Sequence, residues 1–136
     1  VYCGSAIQLR NKKIITGKNS PILHSESATI LNALKFLSNI PDETNLISPE
    51  VLQIIGEMKN MLLGSKSPSL SVDETLIVLA SCAISNPLAK SAMNKLKELR
   101  DCEMHSTFIL TPGDAEGLRN LGINATSDPK ISPMDF

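Results

Sequence analysis

His24-Ser25-Glu26 puts an imidazole and a carboxyl two residues apart, just after a breaker-rich loop and at the start of a segment with helical apolar spacing. Zinc-dependent deaminases place their His-x-Glu element in this way: the histidine holds the metal and the glutamate shuttles protons. That chemistry needs two further soft ligands, normally from a Pro-Cys-x-x-Cys turn at a second helix start, and the chain has no such turn. Cys82 falls inside an expected helix and Cys102 stands alone beyond the next. The same residues also serve a plain helix start, with Ser25 or its neighbour as cap and Glu26 as a first-turn acid favoured by the helix dipole. His24, Glu26 and His105 are the candidates for catalysis, and no metal-ligand set is assigned. His105 lies in an alternating strand-like segment, where a satisfied surface or core histidine is the competing reading.

Two other places could receive a ligand. Gly17, Lys18, Asn19 and Ser20 bring glycine, a cation and amide or hydroxyl donors ahead of a helix, a composition that could cradle an anion. The phosphate-binding pattern G-x-x-x-x-G-K-[ST] is missing, so an ordinary turn competes with the anion site. Thr111-Pro112-Gly113-Asp114 is a second helix start close to the end of a strand, where open α/β sheets often hold ligands. Thr111 and Gly113 could face an anion there; Asp114 would oppose one and suits simple capping. Lys95, Lys97, Glu98 and Arg100 form a charged stretch that fits a solvated helix face, and no Ser-His-Asp or Cys-His arrangement can be nominated from spacing.

These residues need a scaffold, and the pattern of the chain supplies one. Between Tyr2 and Thr16, two apolar runs, Ser5 to Leu9 and Ile14 to Thr16, flank the polar Arg10-Asn11-Lys12-Lys13 and predict an antiparallel hairpin. Ile30, Leu31, Leu34 and Leu37 predict a helix over Ser25 to Ser38, ended by Pro41, with a short strand at Leu46-Ile47. Ser48-Pro49 then opens a helix that runs to about Leu63. Beyond the flexible stretch from Gly64 to Ser69, Ser71-Val72-Asp73-Glu74 matches a capping box. Asn86-Pro87 divides the helix that follows from another carrying Met93, Leu96 and Leu99 on one face. Met104 to Leu110 predicts a strand, Thr111 to Leu121 a short helix with Gly122 after its end, and Ile123 to Thr126 a last strand before a Pro-containing tail. The order gives an α/β class: a mixed sheet with flanking helices, over 1–136 as a single domain, with 48–100 as a helical subdomain or insertion.

Composition narrows the partners. The chain has 136 residues, enough for one domain with a real core, and aromatics make up only 3%, so aliphatic side chains must fill the interior. A formal charge of -1 gives no basic excess to attract a phosphate backbone, which argues against a nucleic-acid partner. No apolar run is long enough for a membrane span, and the N-terminus lacks a signal-peptide pattern. Three cysteines, Cys3, Cys82 and Cys102, at wide and irregular spacing imply reduced thiols and a cytoplasmic location. The strand-like opening without an initiator Met gives the expectation of a domain taken from a longer chain.

Ile15 to Pro21, Asp73 to Ile77, Lys95 to His105 and Thr111 to Asp114 together resemble one bacterial family, catalogued as domain of unknown function 1846, in its C-terminal part. The likeness runs from the hairpin to Thr126-Ser127-Asp128-Pro129. It implies a cytoplasmic protein several times longer than this chain, whose C-terminal subdomain is similar in topology to the cytidine deaminase fold and has a helical subdomain beside it. The family has no assigned reaction, and a fold does not transfer one. The resemblance therefore offers only the loop Gly17 to Ser20 and the segment His105 to Asp114 as places to look, and leaves any cofactor unknown. The leading expectation is an accessory or interaction domain whose partner is the N-terminal region of its own full-length chain, with a homo-oligomer possible. The alternative is an enzyme domain binding an anionic small molecule, nucleotide-like in chemistry, at loop 17–20 and helix start 111–114. A third is a metal-dependent hydrolase or deaminase using His24, Glu26 and His105.

Overall fold

A computed structural model describes residues 4–62, 64 and 68–131. Tyr2 and Cys3, the expected helix end at Leu63, the loop residues Ser65, Lys66 and Ser67, and the tail from Ser132 lie outside the described residues. The sheet begins with the expected hairpin, β1 (Gly4–Gln8) and β2 (Ile14–Lys18), paired antiparallel with Ile7 opposite Ile15. Its turn is closed by the Leu9 N–H to the Lys13 carbonyl at 2.9 Å and needs Lys12 at φ 69. β3 (Glu103–Ser106) pairs antiparallel with the other edge of β1, and β4 (Asn124–Ser127) runs parallel to β3. The strand order is β2-β1-β3-β4 in one mixed four-stranded sheet. A parallel pair needs a crossover, supplied here by a helix between β3 and β4.

That helix is α5 (Pro112–Asn120); before it come α1 (Ser25–Leu37), α2 (Pro49–Leu62), α3 (Val72–Cys82) and α4 (Pro87–Met93). The signals seen in the sequence act locally. The Glu74 carboxylate accepts the Ser71 N–H at 2.9 Å across the start of α3, and the Asn86 side-chain Oδ1 accepts the Leu88 N–H at 3.0 Å at the start of α4. Gly122 takes φ 79 after α5, the left-handed conformation that ends helices. One buried cluster unites Ile7 and Met104 from the sheet with Ile30 and Leu34 of α1, Val78 and Leu79 of α3, Ala89 and Ala92 of α4, and Leu118 of α5.

Three element assignments need correction. Leu46 and Ile47 form a bend, not a strand, and are apolar because both are buried in the core. The helix expected through Leu99 stops at Met93 and resumes as a 3-10 turn over Leu96–Leu99, which keeps Leu99 buried while the backbone changes direction toward β3. β3 ends at Ser106: the Thr107 N–H still reaches the Gly4 carbonyl, but the Thr107 hydroxyl takes the Gly4 N–H at 3.0 Å and the chain then bends away toward α5.

α1 lies against the hairpin. The Ser5 and Thr29 hydroxyls are 2.6 Å apart, and the Asn32 amide donates to the Thr16 carbonyl at 3.0 Å. Gly17 permits this approach, since a Cβ there would sit 2.5 Å from the Thr29 backbone nitrogen and 2.9 Å from the Ser25 carbonyl oxygen. Gly17→Ala is therefore expected to cost about 1–3 kcal/mol in chemical denaturation, the penalty of forcing a methyl into a packed contact. A change below about 0.5 kcal/mol would show that the strand and helix separate freely.

Candidate functional site

Three helix starts converge on one buried polar cluster. The starts of α1 and α3 are held side by side by a parallel bridge between Leu23 and Leu70, in which the His24 N–H donates to the Leu70 carbonyl at 3.0 Å and the Leu70 N–H donates to the Ile22 carbonyl at 3.1 Å. The Ser27 hydroxyl reaches the same Leu70 carbonyl at 3.0 Å. The start of α5 closes on α3 through two glycines: a Cβ at Gly113 would lie 2.6 Å from the Ser71 hydroxyl oxygen, and one at Gly117 would lie 2.5 Å from a Val72 methyl.

Asp114 enters that junction and is 1% exposed. Its Oδ1 accepts the Val72 N–H at 2.9 Å, and its Oδ2 accepts the Thr111 hydroxyl at 2.9 Å and faces His24 Nδ1 at 2.8 Å. Both Asp114 oxygens thus accept a hydrogen bond, from the Val72 N–H and the Thr111 hydroxyl, and the role of His24 Nδ1 opposite Oδ2 depends on the imidazole tautomer. Asp114 also sits in the first turn of its own helix and against the first residue of α3, where the partial positive charge of helix N-termini favours a carboxylate.

Glu26, in the first turn of α1, is the third member and is 7% exposed. Burial pushes its carboxyl above the usual range, and the negative charge of Asp114 pushes it further; the Ser106 hydroxyl, the Glu26 backbone and the Ser25 hydroxyl draw it partly back. Ser106 is itself 1% exposed and lies beside this carboxyl, yet its Oγ makes no hydrogen bond of good geometry among the described residues. One donor atom each from His24, Glu26 and Asp114 falls within 4.8 Å of the others, close enough to hold a single metal ion.

The structure thus gathers two of the three residues considered for catalysis and adds Asp114, considered before only for ligand binding and capping. His105 is elsewhere. It precedes Ser106 on β3, so the alternation of the strand turns it to the opposite face, where it is exposed and bonds Thr126 at 2.8 Å and Asp128 at 3.0 Å. The two halves considered for an anion site also have separate surroundings. Gly17 and Lys18 line a groove of about 700 Å³ along β2 and α1 with Lys13, Asn32, Phe36 and Asp42, and Ser20 uses its hydroxyl to accept the Leu23 N–H at 3.1 Å. Asn19 lies between them in the same loop. Thr111 and Asp114 spend their polar atoms on each other and on His24, with the Asp114 N–H donating to the Thr111 hydroxyl at 3.3 Å.

A second polar contact supports the cluster from the α2 side. Lys59 Nζ donates to the Ser69 carbonyl and to Glu74 Oε1, each at 2.7 Å. Burial alone would raise the Glu74 carboxyl, but the Lys59 ammonium and the Ser71 donors outweigh it and hold the group below its usual range. Cys102 is buried, which pushes its thiol upward and away from reactivity at neutral pH.

Sequence comparison adds a family to this geometry. A profile described as "Domain of unknown function DUF1846, C-terminal" matches residues 2–135. A UPF0371 protein of Clostridium tetani is 47% identical over 130 residues, 96% of this chain and 26% of its own length. A UPF0371 protein of Clostridioides difficile is 44% identical over 131 residues, again 96% of this chain and 26% of its own length. The chain therefore spans about a quarter of the curated relatives it matches. Among the described residues, no helix is long and apolar enough to cross a membrane.

Proposed function

This chain belongs to the bacterial DUF1846 family, as its C-terminal domain, and from that premise we propose that it carries a divalent-metal centre built by His24, Glu26 and Asp114 for hydrolytic chemistry in a longer protein. The observation that carries the reading is the convergence of one imidazole and two carboxylates, all buried, with donor atoms within 4.8 Å. Two buried carboxylates side by side call for a compensating charge. A proton on Glu26 is one answer, in keeping with its raised pKa, and a cation is the other. The fit is supported by the donor set itself, since one nitrogen and two oxygens suit zinc, manganese or ferrous iron.

His24, Glu26 and Asp114 would hold the ion. The Thr111 hydroxyl and the Val72 N–H fix the Asp114 carboxylate in place, with His24 Nδ1 2.8 Å from its Oδ2. Three protein donors leave a position open, the pattern of catalytic rather than structural sites. When bound, the metal would supply Lewis acidity and a water activated near neutral pH. The likeness to the cytidine deaminase fold belongs to this reading. It is supported by His24-Ser25-Glu26 opening the helix after the hairpin and by Asp114 opening the helix between two parallel strands. The ligand set differs from the His and Cys set of the deaminases.

Metal analysis of the full-length protein, purified without chelators, tests the proposal. About one zinc, manganese or iron per chain is expected, falling to near zero in the Asp114→Asn variant if that variant remains folded by circular dichroism. A wild-type protein that neither retains nor takes up such an ion would overturn it.

A further inference from the structure

α2 is apolar on two sides. One side packs inward: Leu52 is buried, Ile55 is half-buried, and Gly56 rests on Pro68, whose carbonyl oxygen would be 2.5 Å from an added Cβ. The other side carries Val51, Ile54, Met58, Met61 and Leu62, all exposed, with Ile54 at 66%, Met61 at 79% and Leu62 at 74%. Their spacing of three, four and three residues, with Leu62 adjoining, gathers them into one stripe along the helix, the repeat by which one helix seats against another. Gln53 and Asn60 fall on the far side. A soluble chain rarely leaves such a stripe in water.

We infer that this stripe is the docking seam for an amphipathic helix in the part of the full-length chain that precedes this domain. Length points to that occupant: the matched relatives devote about a quarter of their sequence to this domain, only 26% in each of the two compared above, so most of such a chain is present to cover it. Charge sets its chemistry. Glu50 and Glu57 are exposed and flank the stripe on one side, one residue before Val51 and Met58. These are the flanking positions that select partners in paired helices, so the docking helix carries Lys or Arg beside its apolar face. The same carboxylates argue against a second copy of α2 packed antiparallel, which would bring Glu50 and Glu57 against their own counterparts.

Thiol labelling of the full-length protein tests the seam through Met61→Cys and Gln53→Cys variants, each read as the rate above the wild-type background. The new thiol at 61 is expected to react at least about tenfold more slowly than the one at 53, at concentrations where sedimentation shows a single chain. Ile54→Cys gives an independent reading of the same stripe. The Glu50→Lys, Glu57→Lys double variant should speed labelling at 61 by setting like charges against the docked helix, and an unchanged rate would overturn the basic flank. Equal rates at 61 and 53 would overturn the seam. Protection that disappears as the protein is diluted to single chains would assign the stripe to a second copy and overturn the intrachain occupant.

Discussion

Asp114→Asn is expected to lower stability by about 1–3 kcal/mol, the range for leaving a buried hydrogen-bonding group unsatisfied. Asp114 uses both oxygens as acceptors, one for the Val72 N–H and the other for the Thr111 hydroxyl, with His24 Nδ1 2.8 Å from the latter. Asparagine offers a single acceptor oxygen. Its amide must then point a donor at either the Val72 N–H or the Thr111 hydroxyl, and each donor left unpaired in the interior carries that cost. Denaturant midpoints at neutral pH read the effect. A loss under about 1 kcal/mol would mean that water or a rearranged side chain satisfies the junction, and that the three helix starts do not depend on this carboxylate.

Leu79→Ala has a comparable expected effect from a different cause. Leu79 is 0% exposed and sits where α3 enters the common core with Ile7, Leu34 and Leu118. Truncation removes buried methyl groups and leaves a cavity that close-packed neighbours fill only in part, for a cost of about 2–5 kcal/mol. Leu34, equally buried on α1, should respond within the same range. The measured quantity is again the shift in unfolding free energy. A value below about 1 kcal/mol at both positions would contradict the inward faces assigned to α1 and α3.

The sequence revealed what short-range chemistry determines. The hairpin follows from two apolar runs around a polar turn, the start of α3 from Ser71 and Glu74, and the end of α5 from Gly122, and each depends on residues within a few positions of one another. Local pattern failed where distant packing decided the outcome. Leu46-Ile47 is as apolar as a strand but pairs with no strand among the described residues, and the break after Met93 follows from the route the chain takes to deliver Leu99 to the core.

The candidate site divides along the same line. His24 and Glu26 are two residues apart and share a helix start, so their pairing could be read directly. Asp114 is ninety positions beyond His24, and only the crossover between β3 and β4, together with the close contacts at Gly113 and Gly117, brings it in. Ser106 carries no signal of its own in the sequence, because one serine in a short strand gives no indication of what its hydroxyl faces. His105 looked more promising than its neighbour by residue type, yet strand alternation gives the buried face to Ser106.

Cobalt substitution tests the metal centre most directly. Full-length protein stripped of metal and titrated with Co²⁺ should develop visible absorption bands of a low-coordinate nitrogen and oxygen site, saturating at one equivalent, and lose them in His24→Ala and in Glu26→Gln. Bands that persist unchanged in both variants, or a spectrum no different from aqueous cobalt at saturation, would contradict an ion held by these side chains.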